Sequence, residues 1–218
     1  MNGCSLVASI DWDELGRIED GNHGWRAALQ DTTDGVKGMS NLSDVYVSGE
    51  GDNPEAFIFG EAPGAQEELL RRPFVGPSGR VMRDLMAIAG LRAGRPWVFK
   101  EGPLNCWLTN TVKFRPPRNR RPTPLEIKAA RPWLSAEWKA VGKPRLIIPV
   151  GGVALEAITG RQQSILVAAG KCHNYRSKEG RELFIWPMVH PSYGLRGDPQ
   201  VQELLEQDWE NLDRKSVV

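Results

Sequence analysis

Four short apolar runs, each leading into a loop of glycine or polar residues, constrain the fold of this chain more than any other feature. They cover residues 57–60, 107–110, 145–150 and 183–189. Runs of this length and composition are typical of buried strands in a parallel sheet. Amphipathic segments lie between them, and this alternation predicts an α/β fold whose sheet is covered by helices on both faces.

The helices between the runs have recognisable boundaries. Residues 123–126 (TPLE) predict a helix start, because threonine can cap the helix, proline suits its first position, and glutamate completes a capping box. That helix is expected to run toward Val141, and further helices are expected at residues 153–158 and 199–213. Residues 77–90 predict an amphipathic helix. Its expected buried side chains are Val81, Leu85, Ile88 and Ala89.

Two of the loops after the apolar runs combine a tight backbone with one ionisable side chain. Gly60-Glu61-Ala62-Pro63-Gly64 follows the first run, and His190-Pro191-Ser192 follows the fourth. The carboxyl ends of parallel strands meet at one edge of a sheet, where ligands bind. Glycine lets a backbone approach a ligand closely. We therefore expect the two loops to form one divided active site.

Composition indicates a globular protein with one main domain. The chain has 218 residues, of which 40% are hydrophobic and 25% charged. Residues 51–218 contain the alternating pattern and are expected to form the domain. Residues 1–50 are polar and weakly periodic, and we interpret them as an N-terminal extension packed on the core, with Trp12 and Trp25 in short helices.

Cysteine usage and hydropathy indicate the compartment. Cys4, Cys106 and Cys172 have no paired spacing, which argues against a disulfide framework and a metal knuckle. No apolar stretch approaches the roughly 18 residues that a membrane span needs, and the N-terminus lacks a signal pattern. We expect a cytoplasmic monomer that does not bind membranes.

Positive charge is concentrated in one segment, although the formal net charge is only +1. Between residues 110 and 131, seven basic side chains accompany a single acid, Glu126. Such a segment is either a solvated helix entry or a surface for nucleic-acid phosphates.

Four motifs in a fixed order carry a resemblance to a known family. They are residues 60–67 (GEAPGAQE), 72–76 (RPFVG), 109–126 (TNTVKFRPPRNRRPTPLE) and 190–196 (HPSYGLR). Together they resemble the bacterial family-4 uracil-DNA glycosylases of the uracil-DNA glycosylase superfamily. The resemblance implies a three-layer α/β/α sandwich with a central four-stranded parallel sheet. It also implies hydrolysis of the N-glycosidic bond of a pyrimidine flipped out of DNA.

The resemblance assigns roles to residues at the pocket. Phe74 would stack on the base, and Asn110 would read its O4/N3 edge. His190 would donate a hydrogen bond to O2 as negative charge develops there. Glu61 and Glu67 are the candidates for orienting water or binding at the sugar. Ala62 lies at the base pocket where better-known relatives carry aspartate, so the group that activates water stays open.

Other residues are assigned to the DNA. Ser192 would hold a phosphate beside the lesion, and Asn119 matches a family asparagine. Tyr193 and Leu195 could act as a wedge in the base stack or pack on the surface. Four arginines would contact phosphates without reading sequence; they are Arg115, Arg118, Arg120 and Arg121.

The chain departs from the family at the positions of an iron–sulfur cluster. Family-4 enzymes hold a [4Fe–4S] cluster with four cysteines, and two of these positions are Phe114 and Ala130 here. The other pair is also missing, so we predict no cofactor and no metal. Apolar packing of Phe114 and Ala130 with Trp133 is expected instead. Arg71 also stands where the family usually has glycine, and Gly194 where it has an apolar residue.

Three functions remain open from the sequence. The first is a monofunctional glycosylase that removes uracil, or a modified pyrimidine, and leaves an abasic site. The second is a defence enzyme that removes a hypermodified pyrimidine from foreign, viral DNA. The third is a DNA-binding protein that keeps the fold without the chemistry, although Glu61, Asn110 and His190 argue against it.

Overall fold

The computed structural model describes residues 42–51, 54–92, 104–176, 180–197 and 199–212. Its strands are β1 (Ala56–Gly60), β2 (Leu91–Arg92), β3 (Leu104–Asn110), β4 (Leu146–Pro149), β5 (His173–Arg176) and β6 (Glu182–Ile185). Its helices are α1 (Ala65–Leu70), α2 (Pro77–Ile88), α3 (Pro124–Ala140), α4 (Gly152–Thr159), α5 (Ile165–Ala168) and α6 (Pro199–Glu210). Two short 3₁₀ segments cover Pro117–Asn119 and Pro191–Arg196.

The strands form a six-stranded sheet in the order β2-β3-β1-β4-β6-β5. Its centre, β3-β1-β4-β6, is the expected four-stranded parallel sheet. The edge strands were not predicted: β2 is parallel to β3, and β5 is antiparallel to β6. β2 has only two residues, and β5 (HNYR) is polar and partly exposed, so neither contains an apolar run.

The burial of β1 shows why the fold has three layers. All five of its residues are buried. Ala56 and Ile58 belong to an apolar cluster that includes side chains of α2 and α6. Phe57 and Phe59 belong to a second cluster that includes side chains of α3 and α4. Because side chains alternate along a strand, helices cover both faces, and the expected α/β/α sandwich is confirmed.

The predicted start of α3 is confirmed in detail. The Thr123 hydroxyl accepts a hydrogen bond from the Glu126 amide at 3.2 Å, and the Glu126 carboxylate accepts one from the Thr123 amide at 2.6 Å. Pro124 occupies the first helical position, where no amide donor is needed. This capping box fixes the point at which the basic segment enters the helix.

The buried face of α2 was predicted only in part. Leu85 is buried as expected, and Ala89 is buried just beyond the helix end. Ile88 was predicted to be buried, but its exposed fraction is 47%. Met82 and Met86 are buried instead, so the apolar stripe is centred one position away from the predicted one.

The chain immediately before β1 packs on the domain. Leu42 and Val47 are buried, and the amide of Val47 donates to the carbonyl of Lys113 at 2.9 Å. Trp12, Trp25 and the rest of residues 1–41 lie outside the described residues. Among the residues that are described, no helix is long and apolar enough to cross a membrane.

Candidate active site

The parallel strands bring four chain segments to one edge of the sheet. Gly60, at the end of β1, pairs with Asn110, at the end of β3. β4 leads to Gly151, while β6 is extended by a bridge between Val150 and Met188 and then reaches His190. The Gly60–Gly64 loop and the His190–Ser192 loop therefore meet at the same edge.

A cavity of about 520 Å³ lies at this edge. Most of the site residues expected from the sequence line it: Glu61, Ala62, Glu67, Phe74, Asn110, Asn119, Arg120, Arg121, His190, Ser192 and Tyr193. Arg115, Arg118 and Leu195 do not line this cavity. The sequence did not indicate that Ser78 and residues 163–166 also form its wall.

Phe74 and Asn110 converge above Gly60. A β-carbon on Gly60 would lie 2.5 Å from Cζ of Phe74 and 2.9 Å from Oδ1 of Asn110. Both side chains are almost completely buried. The absence of a side chain at position 60 therefore lets an aromatic ring and an amide occupy the same corner of the cavity.

The loop that carries Phe74 is held in a strained conformation. The φ angle of Phe74 is 52°, in the left-handed region that costs a residue with a side chain about 1–2 kcal/mol. Arg83 Nε donates to the carbonyl oxygen of Phe74 at 3.2 Å. On the other side, the Glu67 carboxylate accepts hydrogen bonds from the amides of Val75 at 2.9 Å and Gly76 at 2.6 Å.

These contacts indicate a structural role for Glu67, whereas the sequence had suggested a role at the water or the sugar. Its carboxylate also accepts a hydrogen bond from the Gly64 amide at 3.1 Å. Three backbone donors thus occupy the carboxylate that was expected to orient water or bind at the sugar. Glu67 lines the cavity, but its contacts are those of a residue that fixes the Phe74 loop.

His190 is held in one tautomer. The Ser192 amide donates to Nδ1 at 3.2 Å, and the Ser192 hydroxyl lies 2.9 Å from the same nitrogen. Nδ1 is therefore an acceptor, which leaves the proton on Nε2. Burial lowers the pKa of His190 to about 4, against a small opposing effect of Glu67. The imidazole is neutral at physiological pH and can still donate through Nε2.

Gly151 packs directly against the side chain of His190. Its φ angle is 91°, which favours glycine, and a β-carbon there would lie 3.1 Å from Cβ of His190. Gly151 directly follows the third apolar run of the sequence, as His190 follows the fourth, and this shared position is the signal that would have connected the two residues.

Glu61 supplies an available carboxylate. Within the described part of the chain, no protein donor makes a hydrogen bond to its side chain. Burial raises the pKa of Glu61, and the positive charge of Arg121 opposes this effect. Arg121 is itself held by Glu156 at 2.7 Å. Ala62, beside Glu61, contributes only a methyl group to the cavity wall.

The basic segment is less available to DNA than its composition suggests. Arg115 Nη1 pairs with Glu68 at 3.0 Å, and Arg120 pairs with Glu126 through two hydrogen bonds at 2.8 and 2.7 Å. Arg121 pairs with Glu156, so three of the four predicted phosphate contacts are engaged within the protein. Glu68 and Glu156 are distant in sequence, and a local count of charges could not include them.

Arg118 differs from its three neighbours. It is exposed and makes no ion pair with any residue that the structure describes. Its φ angle is 53°, and that of Asn119 is 55°. The Asn119 side chain accepts a hydrogen bond from Arg115 Nε at 2.7 Å, which closes the loop and directs Arg118 to its tip.

The predicted wedge residues lie at the surface. Tyr193 is 40% exposed at the cavity rim, and Leu195 is 51% exposed outside it. Gly194 between them is buried, and a β-carbon there would lie 2.9 Å from Cδ1 of Leu205 on α6. A side chain at this position would therefore displace the end of the Leu205 side chain.

The residues at the iron–sulfur positions do not fit such a cluster. Phe114 and Ala130 are buried in an apolar group with Trp133, as expected from the sequence. The ring of Phe114 makes edge contacts with Trp133 and with Tyr46, each at a centroid distance of 5.7 Å. Among the described residues, no group of three or more cysteine, histidine or acidic side chains could hold a metal ion.

Arg71 also has a structural explanation. It ends α1 in the left-handed conformation, with a φ angle of 50°. Glycine adopts this conformation without a steric penalty, which accounts for the family preference. In this chain an arginine adopts the left-handed conformation, with the steric strain that a side chain causes there.

An aromatic ring, an amide and several ionisable side chains line one cavity at the carboxyl edge of a parallel sheet, which is where enzymes of this fold class bind their ligands. The sequence model of the Uracil DNA glycosylase superfamily matches residues 48–213. The chain is similar to the Type-4 uracil-DNA glycosylase of Sulfurisphaera tokodaii, with 33% identity over 177 residues, 78% of this chain and 74% of the relative.

Two further relatives support the same assignment. The Type-4 uracil-DNA glycosylase of Thermotoga maritima is 34% identical over 158 residues, 72% of this chain and 74% of its own. The Type-5 uracil-DNA glycosylase of Thermus thermophilus is 37% identical over 119 residues, 51% of this chain and 53% of its own. The chain belongs to the uracil-DNA glycosylase superfamily, and it is a DNA glycosylase, a hydrolase of N-glycosyl bonds.

Proposed function

We propose that the protein removes uracil from DNA by hydrolysing the N-glycosidic bond, which leaves an abasic site. The observation that carries the proposal is the convergence of Phe74 and Asn110 above Gly60, in the cavity that His190 and Glu61 also line. A base inside a duplex cannot reach such a cavity, so the nucleotide must rotate out of the stack.

Two side chains would hold the base. The Phe74 ring offers a face for stacking, and the strained loop fixes its orientation before the base arrives. The Asn110 amide can donate to O4 of uracil and accept from the N3 proton. Cytosine presents the reverse pattern at these two positions, so Asn110 favours uracil over cytosine.

His190 would stabilise the departing base. As the bond between C1′ and N1 breaks, its electron pair moves into the pyrimidine and negative charge grows on O2. The Nε2 proton of neutral His190 is a preorganised donor for that oxygen. The hydrogen bond from Ser192 to Nδ1 keeps the proton on the correct nitrogen.

Glu61 would act on the sugar side. Water attacks C1′ as the base leaves, and its proton passes to the Glu61 carboxylate. The raised pKa of Glu61 makes the ionised form a better proton acceptor than an ordinary glutamate. Its negative charge also stabilises the positive charge that develops on the sugar.

The proposal is tested with uracil-containing oligonucleotides, single- and double-stranded, that are treated with alkali after incubation. We expect cleavage at the uracil position. His190→Ala should lower the rate by about 10²–10³-fold, as for loss of a transition-state donor, and Glu61→Gln by about 10²-fold or more. Both variants should still bind the DNA. Folded wild-type protein that produces no abasic sites would overturn the proposal.

A pyrimidine with a bulky 5-substituent in foreign DNA is the second candidate substrate. The observation in its favour is the cavity volume of about 520 Å³, which exceeds the space that one unmodified pyrimidine fills. Incubation with viral DNA that carries such a base, followed by mass spectrometry of the released material, tests this possibility. Release of the modified base at a higher rate than uracil would replace the first candidate by the second.

A further inference from the structure

We propose that residues 46–50 form a brace that positions both base-holding residues, Phe74 and Asn110. One chain of hydrogen bonds runs from Glu50 to Phe74. A second chain runs from the adjacent residue, Gly49, to Asn110. The inference rests on the proposed function for the roles of Phe74 and Asn110. It assigns a positioning function to a segment that precedes the first strand of the sheet.

The brace is fixed along β3. The Glu50 amide donates to the Leu108 carbonyl at 2.9 Å, and the Leu108 amide donates to the Glu50 carbonyl at 2.8 Å. The Val47 amide donates to the Lys113 carbonyl at 2.9 Å, and Tyr46 contacts the ring of Phe114. These bonds set the register of the brace against the strand that ends in Asn110.

The first chain of hydrogen bonds runs from Glu50 to Phe74. Glu50 Oε1 lies 2.5 Å from Arg83 Nη2, and Glu50 Oε2 lies 2.8 Å from Arg72 Nε. Arg83 in turn donates to the carbonyl of Phe74 at 3.2 Å and to that of Pro73 at 3.3 Å. The charge of Glu50 therefore orients the guanidinium that holds the strained Phe74 loop.

The second chain runs from Gly49 to Asn110. The Gly49 amide donates to Glu137 Oε1 at 3.3 Å, and Glu137 Oε2 lies 2.6 Å from Lys113 Nζ. Lys113 Nζ donates to the Asn110 carbonyl at 2.7 Å and to Thr109 Oγ1 at 2.5 Å. The Lys113 side chain is completely buried, so these three acceptors must satisfy its three donors.

The ion pair of the second chain, Lys113–Glu137, is explained better by the groups that it orients than by a contribution to the stability of the fold. A buried ion pair costs desolvation energy, and apolar residues of similar size often stabilise a fold equally well. An apolar pair could not hold the Asn110 carbonyl or bond to the Gly49 amide. Burial by itself lowers the pKa of Lys113, and the charge of Glu137 opposes this effect.

Fluorine NMR of protein labelled with 4-fluorophenylalanine tests the first chain without any substrate. Phe74→Leu assigns the Phe74 signal among the six phenylalanines of the chain. We expect Glu50→Ala to shift or broaden that signal and to leave the signals of Phe57 and Phe59 unchanged. The matched control is Glu182→Ala, which removes another arginine pair at the amino end of β6. An unchanged Phe74 signal in Glu50→Ala overturns the brace.

Binding measurements test the function of the brace with two probes that cannot be cleaved. One oligonucleotide carries 2′-fluoro-deoxyuridine, and the other carries a tetrahydrofuran abasic analogue. Glu50→Ala should weaken binding of the first about tenfold, the loss expected for roughly one good contact, and leave binding of the second unchanged. Equal weakening for both probes, or none, overturns the brace.

The double variant Lys113→Met/Glu137→Leu tests the second chain. It removes both charges together and avoids an unpaired buried ion. We expect the protein to fold and to lose preference for 2′-fluoro-deoxyuridine over the matched deoxycytidine probe; unchanged preference overturns this part. Wild-type protein that does not release uracil would refute the proposed function, whereas the fluorine spectra would still decide whether Glu50 holds Phe74.

Discussion

At the scale of single residues, the site depends on positions where a side chain is fixed before the ligand binds. His190 is the clearest example, since the Ser192 amide leaves only Nε2 to carry the proton. Gly60 has the complementary role, because its lack of a side chain gives Phe74 and Asn110 their places.

The stability of the protein should fall as the pH decreases from about 6.5 to about 4. Over this range His190 is protonated in the unfolded state but not in the folded state. Its folded pKa is lowered to about 4 by burial, whereas an unfolded histidine titrates near 6.5. The unfolded state therefore binds more protons below pH 6.5, and stability present at pH 7 is lost progressively toward pH 4. Urea unfolding of wild type and His190→Gln at pH 7 and pH 5 measures this effect; an identical pH dependence in both contradicts it.

Gly60→Ala should impair base binding without unfolding the protein. The new methyl group would lie 2.5 Å from Phe74 and 2.9 Å from the Asn110 amide oxygen, so both must move. Overpacking of this kind costs about 1–3 kcal/mol, and we expect kcat/KM on uracil DNA to fall about tenfold or more. Gly142→Ala is the control for backbone strain alone: its methyl group would meet no atom within 4 Å, but a φ angle of 90° disfavours alanine, so it should destabilise the fold and leave kcat/KM unchanged. Equal kcat/KM for Gly60→Ala and wild type would contradict the prediction.

The sequence could indicate which residues line the site but not their protein partners. Asn110 and His190 were predictable because each follows an apolar run, and the topology of parallel sheets brings such positions together. Glu67 looked equally suitable for chemistry. Its contacts with Val75 and Gly76 depend on how the intervening loop folds back, which no local pattern reveals.

At the scale of elements, the charges of the loop from Arg115 to Arg121 are largely neutralised by ion pairs, and one charge projects from it. Arg115, Arg120 and Arg121 hold it to α1, α3 and α4. Arg118 remains at the tip. The four arginines should therefore differ in their effects on DNA binding, although the sequence presents them as equivalent.

Arg118→Ala should reduce the salt dependence of DNA binding. Loss of one phosphate contact lowers the slope of log K against log salt by about 0.9 for duplex DNA and about 0.7 for single strands. Arg120→Ala should change the slope less and destabilise the fold by about 1–3 kcal/mol, because it removes the ion pair of the buried Glu126 carboxylate. Fluorescence anisotropy at several salt concentrations, with urea unfolding, measures both effects. A larger change of slope for Arg120→Ala than for Arg118→Ala would reverse this assignment.

The aromatic group around Phe114 should contribute strongly to stability. Phe114 is buried between Tyr46 and Trp133. Truncation of a buried phenylalanine costs about 3–5 kcal/mol, so Phe114→Ala should lower the free energy of unfolding by this amount. Leu125→Ala, at an exposed position of α3, should change it by less than about 0.5 kcal/mol. Similar losses in the two variants would show that the aromatic group is not a significant part of the core.

Elements with strong local signals were predictable, and the weaker ones were not. The capping box at Thr123 and the four apolar strands are local patterns, and the structure confirms them. β5 was missed because its residues are partly exposed and polar. The predicted buried face of α2 was displaced by one position from the observed one. The reason is that Met82 and Met86, which face the core, were not counted among its apolar residues.

At the scale of the whole molecule, the site combines a segment that precedes β1 with one that follows β6. The brace contributes from residues 46–50, and His190 and Tyr193 contribute from beyond β6. The described elements between these segments form the sandwich, which holds both parts in register and contributes Glu61, Phe74 and Asn110 to the site. Sequence patterns identify the sandwich well because its periodicity is repeated, whereas the brace consists of single hydrogen bonds without a repeating pattern.

The pairing of Gly60 with Asn110 has a consequence for how this enzyme can change over time. Side chains alternate between the faces of a sheet, so an insertion or deletion of one residue within β3 would turn the asparagine away from the cavity. Surface loops can lengthen or shorten without that effect. Related enzymes should therefore vary in loop length and substrate while the residue count of β3 up to its asparagine stays constant.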